Sequence, residues 1–494
     1  MIRRSVGIAG VFFLWGCMGV LAGCSTDQAA DVAAYRRISD PPGGGDVARG
    51  RVVASSELSL RDALVLTAAR NEQLAQSGEQ YVQALAQRQR AAAALRPTID
   101  LFASVAFREN TGNQAVVQSE VGIAGQYRVL TGLGDLRNVE ASDAIVRARE
   151  WLILDLREAL LLETARAYYD AILAERLVGV LESSVRAQTE RLSDVEARNQ
   201  VGFARPLDVS QVQAQVSRTR SQLIEARRQV SEARATLALL TNADVRQAVL
   251  SDGFDASESG GSLEEMVWIA LATRQDLVVA RNEADAARRL VDRAIGQYYP
   301  TIGINLNYFL VRAPDDALAS ATSLIDVRLP LLSAGRIQAD VREAWSIFRE
   351  RVLEYRLRAR EARRDVEVAW ARLQASHAAA DEFRTQVTVA RDTLVLAEAS
   401  YQAGLGTNLE RVAAQDELLA AELDATSEEF ITKTSRLSLL RAMGLLSADL
   451  IGTNPVGATV GTDGPVPDSP FVDVPGPAGV HEESNDQPES EAAR

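Results

Sequence analysis

The chain has only two cysteines, Cys17 and Cys24, both near the N-terminus. Its body can therefore hold neither a disulfide framework nor a cysteine metal site. Histidine is as scarce: His377 falls in a helical stretch and His481 in a polar tail, too few for a histidine metal site or a catalytic triad. Lysine occurs once, at Lys433, so arginine carries nearly all the positive charge. A formal net charge of −14 lacks the basic surface that phosphate backbones require, and no nucleic-acid partner is expected. Beyond the N-terminus no run reaches 18 apolar residues, so a membrane crossing would have to be made from strands. Phosphate-cradling glycine loops and nucleophile elbows are also absent, and the carboxylates lie at helical-surface spacing beside arginines. The chain reads as a non-enzyme with no metal and no cofactor.

What is present is alanine, leucine, arginine and glutamate, with aromatics held to 5%, the mix of long helices and coiled coils. At the start, Arg3 and Arg4 precede an apolar run from Ile8 to Val20, shorter than the ~20 residues a spanning helix needs and so a signal peptide. It closes on Leu21-Ala22-Gly23-Cys24, which resembles the bacterial lipobox. That resemblance implies cleavage before Cys24 and a covalent lipid on its thiol, several acyl chains giving stable anchoring. Ser25, in place of aspartate, implies sorting to the outer membrane.

The body is written twice. Leu60 to Leu74 aligns with Leu263 to Leu277 at an offset of 203, which also places Pro97-Thr98-Ile99 on Pro300-Thr301-Ile302. Gly202, Leu207 and Asp208 match Gly404, Leu409 and Glu410 at an offset of 202. In each copy a helix, roughly Leu58 to Leu95 in the first, stops before the proline. Alternating residues follow: Ile99, Leu101, Ala103, Val105 and Phe107, or Ile302, Ile304, Leu306, Tyr308 and Leu310. Polar turns at residues 109–113 and 313–316 lead to return strands, so each chain offers two hairpins and four strands. Four strands cannot close a barrel, and an open edge is forbidden in lipid. If the strands enter a membrane, chains must combine.

Two helices of unusual length follow, about Asn138 to Val201 and Ile337 to Ala403, each on the order of 90–100 Å at 1.5 Å per residue. Each ends at a glycine break, residues 201–206 and 403–408, and returns as a helix from Leu207 or Leu409.

Lipobox, duplicated helix–hairpin–helix halves, the proline before each first strand, Leu331-Leu332-Ser333-Ala334-Gly335-Arg336 and the glycine tips resemble the TolC family over about residues 57 to 447. The resemblance implies a mainly α fold with membrane β hairpins: coiled-coil helical hairpins forming an α-barrel, and four strands given to a trimeric twelve-stranded β-barrel. It implies a homotrimer in outer-membrane lipid, a periplasmic adaptor, an inner-membrane pump, and passive export of small molecules. Asp208 and Glu410 match an acidic position of that family and are duct-constriction candidates, while a second acidic position falls on Gln211 and Ala413. Their place in the first turn of a helix equally suits the helix dipole. Gly202, Phe203, Gly404, Leu405, Gly406 and Thr407 are adaptor-docking candidates. Leu130-Thr131-Gly132-Leu133-Gly134-Asp135 departs from the second copy's strand-to-helix turn. A type I protein-secretion duct and a periplasmic coiled-coil adaptor lipoprotein are the rival readings.

The chain thus divides into a signal peptide (1–23), a polar tether (24–56), two repeats (57–250 and 251–447) and an acidic tail (448–494) expected to be disordered. Seven of the 14 prolines lie from residue 454 onward.

Overall fold

The computed structural model describes residues 28–39, 57–109, 115–254, 256, 261–313 and 320–452. Cys24, the signal peptide, both hairpin turns and the chain after Gly452 lie outside the described residues. The architecture is mainly helical, with four long strands as the exception. The described residues form two compact units: those within 1–90, 146–260 and 368–454 make the first, those within 91–145 and 261–367 the second.

Both copies begin alike. Helix α2 (Leu60–Arg70) starts at Ser59, whose hydroxyl accepts from the Asp62 N–H while Asp62 accepts from the Ser59 N–H. In the second copy Ser262 and Glu265 repeat this capping box at the start of α6 (Leu263–Thr273). The sequence pattern predicts one helix from about Leu58 to Leu95, but the chain leaves helical geometry at Asn71 and resumes as α3 (Glu72–Ala93). The reason is local: Asn71 Oδ1 accepts from the Gln73 N–H at 2.9 Å, an Asx turn that competes with the helix ladder, and its amide donates to Leu240 O at 3.2 Å. The second copy breaks at Arg274 before α7 (Gln275–Gly296), where the guanidinium pairs with Asp276 at 2.7 Å and Asp365 at 3.1 Å.

In the first unit, α1 (Gln28–Ser39) falls inside the segment read as a tether and is ordered by packing: Tyr35 is buried with Leu74, Ile153 and Leu160. Strand β1 (Glu57–Ser59) pairs in parallel with β4 (Val249–Ser251), two strands too short to signal themselves. The Tyr168 hydroxyl shares its proton between Leu58 O at 2.7 Å and Ser251 O at 2.6 Å, clamping the pair. Burial pushes that phenol up to about 12, so it stays a donor. Helices α4 (Gly134–Gln200), α5 (Pro206–Thr241), α8 (Arg336–Gln402) and α9 (Asn408–Ala442) supply the long segments, α4 from residue 146 and α8 from residue 368 belonging to this unit. Leu181 of α4, Leu223 and Ala226 of α5 and Leu419 of α9 form one core layer, and Val195 of α4 with Val212 and Val216 of α5 another. The short α10 (Leu446–Ile451) covers the first residues read as tail and buries Leu446 and Ile451.

In the second unit, β2 (Thr98–Glu109), β3 (Ala115–Thr131), β5 (Thr301–Ala313) and β6 (Ala321–Arg328) form one antiparallel sheet in the order β2-β3-β5-β6. The sequence's alternation becomes a two-faced surface. Leu101, Ile123 and Tyr308 align across three strands, as do Ile304 and Ile325 across two, and most of this apolar face is exposed. The opposite face carries Asp100, Gln126, Asn305, Asn307 and Asp326, with Phe102 and Phe309 leaning over Gly122 as an edge-on pair 5.9 Å apart. Strands β2 and β6 are edges with no partner among the described residues. The helical core beneath is Ala284, Val291, Phe348 and Val352.

Candidate functional site

The two hairpin tips and the open sheet are the features that local packing leaves unfinished. At the first tip α4 ends in a Schellman motif: Phe203 N–H donates to Arg198 O at 2.8 Å and Gly202 N–H to Asn199 O at 3.0 Å. Gly202 holds φ +82°, a conformation that favours glycine. The second tip repeats this bond for bond: Leu405 donates to Ser400 O, Gly404 to Tyr401 O, and Gly404 has φ +71°. Phe203 and Leu405 project from the turns, 85% and 87% exposed. A Cβ at Gly406 would meet Ser400 Cβ at 3.1 Å and Glu410 Oε2 at 3.2 Å, so this position is narrow as well as turned.

The return helices place an acid at the same position in two different settings. Thr407 caps α9, its hydroxyl accepting from the Glu410 N–H at 3.3 Å while Glu410 Oε2 accepts from the Thr407 N–H at 3.0 Å. Glu410 remains exposed. At α5 the cap is Arg205, which offers no acceptor. Asp208 instead accepts from the Arg205 N–H at 3.1 Å and from its guanidinium at 2.9 and 3.2 Å. Asp208 is buried, and the side-chain hydrogen bond from Arg205 holds its carboxyl below the usual aspartate range despite partial desolvation.

Between the tips lies a polar cluster that sequence reasoning missed. Arg411 is 2% exposed and stacks over the Tyr401 ring at 4.3 Å. Its guanidinium donates to Asn408 Oδ1 at 3.0 Å and faces Glu398 at 3.6 Å. Asn408 in turn donates to Asp208 O at 3.4 Å and Gln211 Oε1 at 3.3 Å, so the acid-matching position Gln211 serves as an acceptor that ties one tip to the other. Arg191 joins Glu398 at 3.3 Å and bonds Gln415. The Thr407-x-x-Glu410 spacing is a legible capping-box signal; Arg411 looks in sequence like any other helical arginine. Among the described residues no group of three or more His, Cys, Asp or Glu could hold a metal, and no helix is long and apolar enough to cross a membrane.

Residues 63–243 and 267–445 match the family model for "Outer membrane efflux protein", one segment in each repeat. The chain is 23% identical over 366 residues to the outer membrane efflux protein BepC of Brucella suis biovar 1, covering 73% of this chain and 80% of that one. It is 24% identical over 376 residues to the toluene efflux pump outer membrane protein TtgC of Pseudomonas putida, covering 70% and 75%. Among solved structures, the CmeC outer membrane channel of Campylobacter jejuni superposes with a TM-score of 0.71 at 18% identity, covering 78% of this chain and 86% of that one. VceC of Vibrio cholerae does so with 0.70 at 19% identity, covering 78% and 96%. With both repeats matched by one family model and the same fold in solved channels, the chain belongs to the outer membrane efflux protein family, the TolC family of outer-membrane channels.

Proposed function

We propose that three copies of this chain form the passive outer-membrane duct of a tripartite efflux system, lipid-anchored through Cys24 and docked at its tips to a periplasmic adaptor that links it to an inner-membrane pump. The carrying observation is the four-stranded sheet with both edges unpaired among the described residues and an exposed apolar face. Unpaired edges are untenable in lipid, where backbone groups have no water to satisfy them. Three copies supply twelve strands, apolar face outward and polar face lining the lumen. Cys24 lies a few residues before α1, which Tyr35 and the Arg157 contact to Ile38 O fasten to the helical body, so the lipid is tied to a folded element. The exposed Phe203 and Leu405 offer the adaptor apolar knobs on rigid turns. Glu410, free of any arginine cap, is the constriction acid that attracts cations, whereas Asp208 is already neutralised.

Oligomer mass in detergent and single-channel conductance in a planar bilayer test this reading. A three-chain particle that conducts is expected, with Glu410→Ala lowering cation preference; a non-conducting monomer overturns it.

A further inference from the structure

The departure in the first strand-to-helix turn has a structural counterpart. Gly132, at φ +57°, lies against the last turn of α7: a Cβ there would sit 2.0 Å from the carbonyl oxygen of Gly296, and one on Gly296 would sit 2.6 Å from that of Gly132. The two glycines meet backbone to backbone, and Gly296 also lines a neighbouring cleft of about 530 Å³ that most of the sheet's polar-face residues at this end share. Three guanidiniums line it, Arg128 from β3, Arg328 from β6 and Arg293 from α7, against two carboxylates, Asp135 and Asp326. Asp135 stands 3.6 Å from Arg128 and Asp326 stands 3.1 Å from Arg328. Arg293 donates at 2.9 Å to Asn138 Oδ1, a neutral amide. The lining is thus left with one more cation than anion. Arg293 in the last turn of α7 suits the helix dipole, but that account does not reach Arg128 or Arg328, which come from strands and are mostly solvated.

We propose that this cleft is a binding subsite for an oxyanion, the carboxylate or phosphate of a small solute moving along the polar face of the sheet. The inference rests on the duct reading, which makes that face the lumen. Guanidinium forks match the planar, bidentate geometry of carboxylate and phosphate oxygens, and the Asn305 amide adds a neutral donor. Its strand lining is mostly from the polar face, Gln126, Arg128, Asn305, Asp326 and Arg328, which argues for a solute over a lipid headgroup as occupant. The barrel end of the duct would then hold anions while the exposed Glu410 attracts cations at the tip.

Citrate, added to the full-length protein in planar bilayers of uncharged lipid and titrated calorimetrically into the detergent-solubilised protein, tests the site. Wild type should bind citrate and show a saturable fall in conductance. The R128Q/R293Q/R328Q variant should need at least tenfold more citrate, Arg293→Lys an intermediate amount, and the remote Arg61→Gln no more than wild type, all at unchanged oligomer mass. Should the triple variant not assemble, Arg293→Gln alone should weaken citrate binding at least threefold. Pores with equal citrate sensitivity in all variants overturn the subsite. Citrate block that disappears when anionic phospholipid is added gives the cleft to headgroups and overturns the solute assignment. Citrate binding that depends on the three arginines in a protein that never conducts supports the oxyanion site and overturns the duct reading.

Discussion

The two hairpin tips were copied as turns but not as electrostatic sites. Gly202 and Gly404 close the same Schellman bonds, and an acid follows six residues later in each. Asp208 is covered by the Arg205 cap and buried, whereas Glu410 closes a threonine capping box and faces water. Duplication therefore preserved the backbone that presents the tip and let one side chain, arginine or threonine at the cap, decide whether the acid behind it is neutralised. The strand-to-helix turns teach the same lesson. Both place two left-handed residues before the long helix, Gly132-Leu133 in one copy and Ala334-Gly335 in the other, so the glycine has changed places within an identical turn. Only the first copy's glycine is locked by contact, against Gly296; a Cβ at Gly335 meets open space.

The turns can be separated by the largest effect. Gly132→Ala should cost about 3 kcal/mol or more, because left-handed strain adds to a backbone collision that nothing flexible can relieve. Gly335→Ala should cost roughly 1 kcal/mol, the strain alone. Thermal unfolding in detergent reads both, and equal shifts in Tm would erase the distinction.

At the tips, Asp208→Asn should cost about 1–2 kcal/mol at neutral pH, the worth of a charge-assisted bond whose arginine is largely solvated. Because the folded carboxyl titrates below its unfolded value, the stability it contributes is fully present above the ordinary aspartate range. It is lost as pH falls through the lowered folded pKa. The gap between wild type and Asp208→Asn should therefore close in acid, and a gap constant down to strongly acidic pH would remove the ion-pair account. Thr407→Ala has the smallest expected effect, roughly 0.5–1 kcal/mol, since it takes one side-chain bond from an exposed helix start. A cost above that of Asp208→Asn would mean that the second tip, not the first, is the electrostatically fastened one.

The duplication, the strand hairpins and the glycine turns were legible because each rests on local pattern: an offset, a period of two, a helix break. The kinks at Asn71 and Arg274 were not, since apolar periodicity runs through both and their partners Leu240 and Asp365 lie far along the chain. Helix α1 was read as tether because it sits in a segment that is polar and Gly/Pro-punctuated as a whole. Its anchors Val32, Tyr35 and Ile38 pack on partners far along the chain, Tyr35 filling the space above Gly78. At the tips, the acids announced themselves by spacing from the glycines, whereas the burial of Arg411 depends on Tyr401 and Glu398 of the preceding helix, which converge on it beside Asn408 of its own turn.

The same duplication fixes how neighbouring copies should pair if they close a barrel. Within the chain, Ala124 of β3 sits opposite Asn307 of β5. Their repeat counterparts are Asp326 on the β6 edge and Ser104 on the β2 edge, aligned through the pairs Thr98–Gln126 and Thr301–Arg328. The most direct measurement is oxidative cross-linking of the Asp326→Cys/Ser104→Cys double variant in membranes, resolved on a non-reducing gel. A covalent species of three chains is expected, absent when either cysteine is introduced alone. A chain that stays monomeric under oxidation, with both thiols still accessible to alkylation, would contradict the completed barrel.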